Sequence, residues 1–514
     1  MERKDISVSS LPDEVLIYIF GYLNVRSRLT ACLVCKEWLH FINFYKLLHD
    51  VKVHFSMPFQ DAVKCSRMTR QFEWFAFVRI TISDSVVDFL KQYSKQFVGL
   101  IFVDCKVLSH KRKSKYRERF LKCDNLKYLE TENSDVIALF AFFPNVTTLM
   151  IHGFSGLTDY TLCQLNKTLF KLEMFSLSGS VIYNKADYEK FYVNGETIEA
   201  NPSKSVLSFA SVKKFIEKHK NTMKQLNLSL LQLSPETVVT ISTINGLKLK
   251  NVSFPSDLPS SFIKKFCENQ ISLTSLKLTS TLHVNDETVS AVCKSLSNLK
   301  DLFIYPNSEI DKSIVEILQL EHLEVLHLDN SKAISELSYQ QAVLKLKAFK
   351  LKELSLVAAQ IADKSLCELL KRNLNIGNLD ISHTSVSNET LNMICRNLIN
   401  LESLTLASCK RISDPGITGE FEDYSNFLTP TPISNLKNLR KLNMNCNPLL
   451  TIKGCIKAIK FPNLRSLYLL ECDFLNFHNP MRFILEKQNP RLFHFVITFN
   501  PINYVKVGRF HDYF

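Results

Sequence analysis

Cysteine, histidine and carboxylate groups are where chemistry would first be sought in this chain of 514 residues. Cys32 and Cys35 form a C-x-x-C pair, a spacing at which two thiolates can grip zinc. Zinc takes four ligands, and no second pair or C-x-H follows nearby, so the two are expected to be buried thiols. The 14 cysteines are otherwise scattered, without the spacing of a disulfide framework. Short acidic phrases recur, such as Asn285-Asp286-Glu287-Thr288-Val289 and Ser387-Asn388-Glu389-Thr390-Leu391. Each places a capping residue and acids where a helix would begin, which satisfies free amides and suits the helix dipole. Their carboxylates therefore read as structural. No G-x-S-x-G, P-loop, G-x-G-x-x-G or H-E-x-x-H occurs. Glycine is scarce, 12 in all against a usual share of about 7%, which disfavours phosphate-cradling loops. No catalysis, cofactor or metal is expected.

The second candidate chemistry is electrostatic. Lys and Arg total 63 against 50 Asp and Glu, a formal charge of +13. Its one dense focus is Lys111, Arg112, Lys113, Lys115, Arg117 and Arg119. A solvated helix face is the plain reading of that run, and nuclear import, RNA contact or an acidic docking partner are the functional ones. Stacking aromatics of the kind single-strand binders interleave are nearly absent there, so nucleic acid is not the expected partner. No apolar run reaches the roughly 18 residues of a membrane helix. The opening Met1-Glu2-Arg3-Lys4-Asp5 lacks the apolar core of a secretory signal. With 46% apolar and 22% charged residues, the expectation is a globular intracellular protein of the cytoplasm or nucleus.

The element that would position any such group is a repeat. The pattern L-x-x-L-x-L, with other apolar residues substituting, runs through Leu273/Leu276/Leu278, Leu299/Leu302/Ile304, Leu323/Leu326/Leu328 and Leu351/Leu354/Leu356. Further copies begin at Ile376, Leu401, Leu439, Leu464 and Leu492, and weaker ones at Leu126, Val146, Leu172, Met223 and Leu249. Most lie 24 to 28 residues apart. A capping residue then precedes a second apolar stretch, as Thr158 precedes Leu162 and Ser413 precedes Ile417. Each unit reads as a short strand, a turn and a capped helix. One unit cannot bury its own apolar edge, so stacking must build a continuous core. Residues 183–205 and 416–434 break the period and read as loops leaving the stack. Residues 55–125 read as degenerate repeats capping its first layer, with a strand from Trp74 and a helix over Val86–Tyr93.

The phrase Leu404-Thr405-Leu406-Ala407-Ser408-Cys409-Lys410-Arg411-Ile412-Ser413-Asp414 resembles the leucine-rich repeat family, in its longer helical type. Cys472 and Asn500 fall at the offset of Cys409. The resemblance covers roughly residues 120–514, and with residues 55–125 it implies an α/β solenoid over 55–514, parallel sheet concave and helices convex. Alternate strand residues would line the concavity. Phe303, Tyr305, His327, Asp329, Asp380, Asn443 and Tyr468 are the expected contacts for a protein substrate.

Residues 9–54 do not fit the repeat. Leu11-Pro12-Asp13-Glu14 opens a helix with proline where its missing N–H costs nothing and acids in the first turn. Val15, Leu16, Ile19, Phe20 and Leu23 span an arc of about 140° at 100° per residue. Leu29 to Phe44 adds Leu33, Val34, Trp38, Phe41 and Ile42. That is more apolar surface than so short a segment can cover alone. Leu11-Pro12-x-Glu14-Val15-Leu16-x-x-Ile19-Phe20-x-Tyr22-Leu23, followed by Val34-Cys35-Lys36-x-Trp38, resembles the F-box, with His49 standing where the family often has Trp. The resemblance implies a small three-helix F-box. It would bind a Skp-type adaptor, and through it the cullin and RING subunits of an SCF ubiquitin ligase, while the repeats hold a substrate. Carried over, the adaptor-facing residues are Leu11, Pro12, Val15, Leu16, Ile19, Phe20, Leu23, Leu29, Val34 and Trp38. A scaffold that binds the adaptor without promoting ubiquitination, and an RNA-binding solenoid, are the alternatives.

Overall fold

The computed structural model describes residues 11–23, 25–43, 45–56, 70–107, 121–153, 157–178, 182–183, 192, 198, 200–227, 233–254, 258–278, 284–305, 310–345, 350–420, 430–472, 480–492 and 494–496. The basic run 111–119 and Asn500 lie outside the described residues. The chain forms two compact units, Met1–Leu249 and Lys250–Phe514.

The first unit opens with three helices, α1 (Asp13–Gly21), α2 (Val25–Ala31) and α3 (Lys36–Ile42). Their core is Leu16, Phe20, Ala31, Phe41, Ile42 and Leu47. Arg28 is buried beneath them, donating to the Leu47 carbonyl at 2.5 Å and pairing with Asp50. Neither thiol of the C-x-x-C pair is fully buried as expected: Cys32 is half-buried against this core, and Cys35 is exposed because it caps α3, its Sγ accepting the Trp38 amide. Among the described residues, no group of three His, Cys, Asp or Glu could hold a metal ion.

The chain then enters a parallel sheet. β1 (Lys52–Phe55), β2 (Trp74–Val78), β3 (Gly99–Val103), β4 (Tyr128–Glu132), β5 (Thr148–His152), β6 (Met174–Leu177) and β7 (Gln225–Asn227) pair in that order. β1 begins at Lys52, so the end of the 9–54 segment belongs to the sheet. The cause is Phe55, which is buried and stacks on Phe77 at 5.3 Å, while Phe77 stacks on Phe102 at 5.1 Å. These rings give the first layers of the stack a core of their own. The excursion over 183–205 does not simply leave the stack. Tyr192 and Ile198 are buried, and the Tyr192 hydroxyl donates to Asp159 at 2.6 Å while accepting the Ser203 amide.

The second unit continues the pattern. β8 (Asn251–Ser253), β9 (Ser275–Leu278), β10 (Asp301–Ile304), β11 (Val325–Leu328), β12 (Glu353–Ser355), β13 (Asn378–Asp380), β14 (Ser403–Thr405), β15 (Lys441–Asn443), β16 (Ser466–Tyr468) and β17 (His494–Val496) pair in parallel. The register aligns one leucine per repeat, Leu276, Leu302, Leu326, Leu354, Leu379, Leu404, Leu442 and Leu467, all buried. With helices returning between parallel strands, this is the α/β leucine-rich-repeat architecture. In the second interrupted stretch, Ile417 and Ile433 are buried, and residues 421–429 lie outside the described residues.

Two ladders tie the repeats together. The acids at the helix starts reach forward to the next repeat. Asp286 accepts the amides of Asp311, Lys312 and Ser313; Asp311 accepts Ser335; Glu336 accepts Ala362; Asp363 accepts Ser387 and Thr390; Asp414 accepts Thr451. Burial alone would raise the Asp286 carboxyl, but those amides and the Ser313 hydroxyl hold it below the usual carboxylate range. The second ladder uses the C/N position: the Cys409 thiol donates to the Ile381 carbonyl, Cys472 to Met444, and the Asn447 amide to Leu406. Burial pushes the Cys409 thiol up to about 11, which favours the protonated thiol as the donor in this ladder. After each of β11 to β16 one residue takes a left-handed conformation, and in this glycine-poor chain it is Asn330, Ala358, His383, Ser408, Cys446 or Glu471.

Candidate functional site

The α1 sequence is apolar on nearly every side, and the fold divides it into two faces. Leu16 and Phe20 point inward, 1% and 3% exposed, with Leu11, Leu23 and Trp38 half-buried around them. Phe20 meets Trp38 edge-on at 5.1 Å. Val15, Tyr18, Ile19 and Tyr22, spaced i, i+3, i+4, i+7, form a separate outward stripe. Tyr18 and Tyr22 meet edge-on at 5.0 Å. Leu29, Leu33 and Val34 add to the outward apolar surface, at 59%, 86% and 62% exposed. Together these side chains leave a large apolar surface on a short segment.

Of the ten residues expected to face a partner, Val15, Ile19, Leu29, Val34 and Pro12 are exposed, and Leu11, Leu23 and Trp38 are half-buried. Leu16 and Phe20 belong to the segment's own core, because Ala31, Phe41 and Ile42 close over them. Tyr18, Tyr22 and Leu33, also exposed, lie beyond those ten. Their signal was present in the spacing of the two tyrosines from Val15.

The sheet of the second unit supplies another surface. Phe303, His327, Ser355, Asp380, Thr405, Asn443 and Tyr468 stand in one register row across seven strands. The sheet thus joins in one line five of the residues that the strand pattern proposed, while Tyr305 and Asp329 follow β10 and β11 directly. His327 Nε2 meets Glu353 Oε1 at 2.8 Å, and Asn378 Nδ2 donates to the other Glu353 oxygen at 3.2 Å. The His327 bond holds the Glu353 carboxyl below its ordinary value, against the opposing effect of burial. Asp301 moves the other way, raised by burial. Ser355 Oγ donates to Asp329 at 2.5 Å. Between these strands lies a recess of about 420 Å³ lined by His327, Asp329, Glu353, Ser355, Asp380 and Lys441 among others.

The first unit carries a feature the strand pattern did not flag. Trp74 lies across Gly99 on the neighbouring strand, where an added Cβ would fall 2.1 Å from the indole Cε3. Tyr128 flanks the ring at 5.2 Å and Lys52 covers it at 5.3 Å.

Residues 8–49 match the F-box-like family. The F-box-like domain therefore spans α1 to α3 and the turn after them, and the leucine-rich-repeat sheet follows it. No sequence match emerges among curated proteins. Among solved structures, the yeast Rad7–Elc1 complex aligns at 19% identity and TM-score 0.46, covering 66% of this chain and 78% of that one. The TLR13–ssRNA13 complex aligns at 15% and 0.43, covering 87% and 74%. An internalin of Listeria monocytogenes aligns at 14% and 0.31, covering 73% and 80%.

Proposed function

We propose that this chain is the substrate-recognition subunit of an SCF-type ubiquitin ligase. Its F-box-like domain docks on a Skp-type adaptor, and its repeats hold a protein substrate. The observation that carries the reading is the outward stripe of Val15, Tyr18, Ile19 and Tyr22 with Leu29, Leu33 and Val34, an apolar surface beside a core that is already complete. A partner that covers it supplies the burial the domain lacks, at roughly 1.5–3 kcal/mol for each large side chain fully covered. Cullin and RING subunits are reached through the adaptor. The mechanism is proximity: a substrate and a charged ubiquitin-conjugating enzyme held on one frame meet at a raised effective concentration. No side chain of this subunit performs chemistry on the substrate in this scheme.

The test is co-purification of the full-length chain with a Skp-type adaptor and cullin. Ile19→Asp with Val34→Asp is expected to abolish adaptor capture while the thermal midpoint stays near that of the parent. Capture that survives both substitutions refutes the assignment. Capture of the adaptor with no cullin, and no ubiquitinated partner, would leave the scaffold alternative in its place.

A further inference from the structure

We propose that the recess between β11 and β15 receives an arginine side chain of the bound partner. This rests on the reading of the sheet as the substrate-holding face and names what that face selects. The recess, at about 420 Å³, is near the lower end of the roughly 300–1,000 Å³ of ligand pockets, room for a side chain or two rather than a folded element. Its charges are uneven. Glu353 is already engaged by His327 and Asn378. Asp329 takes a bond only from Ser355 Oγ and Asp380 only from the Ser382 amide, and neither forms an ion pair with any described residue. Ser355, which donates to Asp329, stands in register with Asp380, so both acids neighbour one serine. Lys441 lies at the far edge.

The His327 imidazole is the aromatic ring that lines the recess. His327 lies on Phe303 at 4.6 Å with 37° between planes, and Lys277 Nζ already rests 4.9 Å from the Phe303 centroid. Carboxylates together with a flat imidazole match a guanidinium, which is planar, offers five N–H donors and is weakly hydrated. A lysine ammonium is compact and more strongly hydrated, and fits such a site less well. The local complementarity runs against the chain's +13 charge, so a cationic residue gains at this recess and not over the surface at large.

The test is saturation-transfer NMR on the full-length chain with acetyl-Ala-Ser-Arg-Ser-Ala-amide, its lysine counterpart, and its citrulline counterpart, which keeps the shape and removes the charge. The arginine peptide is expected to bind at least tenfold tighter than the citrulline one. Asp329→Asn with Asp380→Asn is expected to erase that preference without lowering the thermal midpoint or adaptor capture. Equal binding of the arginine and citrulline peptides, absence of transfer to either, or a preference that survives the double substitution overturns the proposal. Adaptor capture is scored separately, so its failure removes the ligase reading without mimicking any of these results.

Discussion

Leu33 and Leu16 are both leucines of the F-box-like domain, and the structure predicts opposite phenotypes for their loss. Leu33 is 86% exposed, so covering it in a complex would bury nearly a whole side chain. At roughly 1.5–3 kcal/mol for full burial, Leu33→Ala should cost about 1.3–2.6 kcal/mol of adaptor affinity, or roughly 10- to 80-fold in Kd. The folded chain loses almost nothing, because Leu33 makes little use of its own domain. Leu16 is 1% exposed, at the centre of the three-helix core. Leu16→Ala should cost about 2–5 kcal/mol of domain stability by opening a cavity, with affinity falling only as the folded fraction falls. Fluorescence polarisation against a labelled Skp-type adaptor reads the first effect, and circular dichroism melting reads the second. The reasoning fails if Leu33→Ala binds within twofold of the parent, or if it melts as early as Leu16→Ala.

Three further outcomes follow from the ladders and turns. Asp363→Ala removes an acceptor shared by the Ser387 amide and hydroxyl and the Thr390 hydroxyl, and should cost about 1.5–3 kcal/mol. At roughly 2–4 °C per kcal/mol this is a clear drop in the melt of the second unit, with adaptor affinity unchanged. Ala358 holds φ at 60°, a conformation that costs an L-residue roughly 1–2 kcal/mol, so Ala358→Gly should raise the melting point by a degree or more despite glycine's freer unfolded state. Asp286, Asp311 and Glu353 have carboxyls held below their ordinary values. Groups depressed on folding stabilise above their unfolded pKa, so these three contribute fully at neutral pH and lose that contribution as pH drops below about 4, while His219, which burial lowers to about 4, adds a loss that begins near its ordinary value of about 6.5. Asp301, raised by burial, contributes in the opposite sense, and Asp286→Asn should flatten the acid limb in melts recorded from pH 7 to 3.

The repeat itself was written in the chain. A buried leucine at the same phase of every unit forces one strand per unit, and a strand's period of two then fixes which side chains face outward. That is why the sequence places Phe303, His327, Asp380, Asn443 and Tyr468 on one face, and why they fall in one row. The capping acids were recognised as structural from their position at helix starts. That they reach across to the next repeat was not legible, because a cap motif shows only its own helix. The same holds for Tyr192, whose bond to Asp159 joins residues 33 positions apart.

What the amino-acid order determined was therefore everything periodic: strand phase, helix starts, and a separate helical segment too apolar for its size. What tertiary structure decided was which apolar side chains remain available. On α1, Val15 and Ile19 sit one position before Leu16 and Phe20 and are as apolar, so no helical period can say which pair turns inward. Ala31, Phe41 and Ile42, brought over from the next two helices, close over Leu16 and Phe20 and leave Val15 and Ile19 outside. Asp329 and Asp380 likewise become neighbours of one serine only because parallel strands bring units of distant sequence side by side.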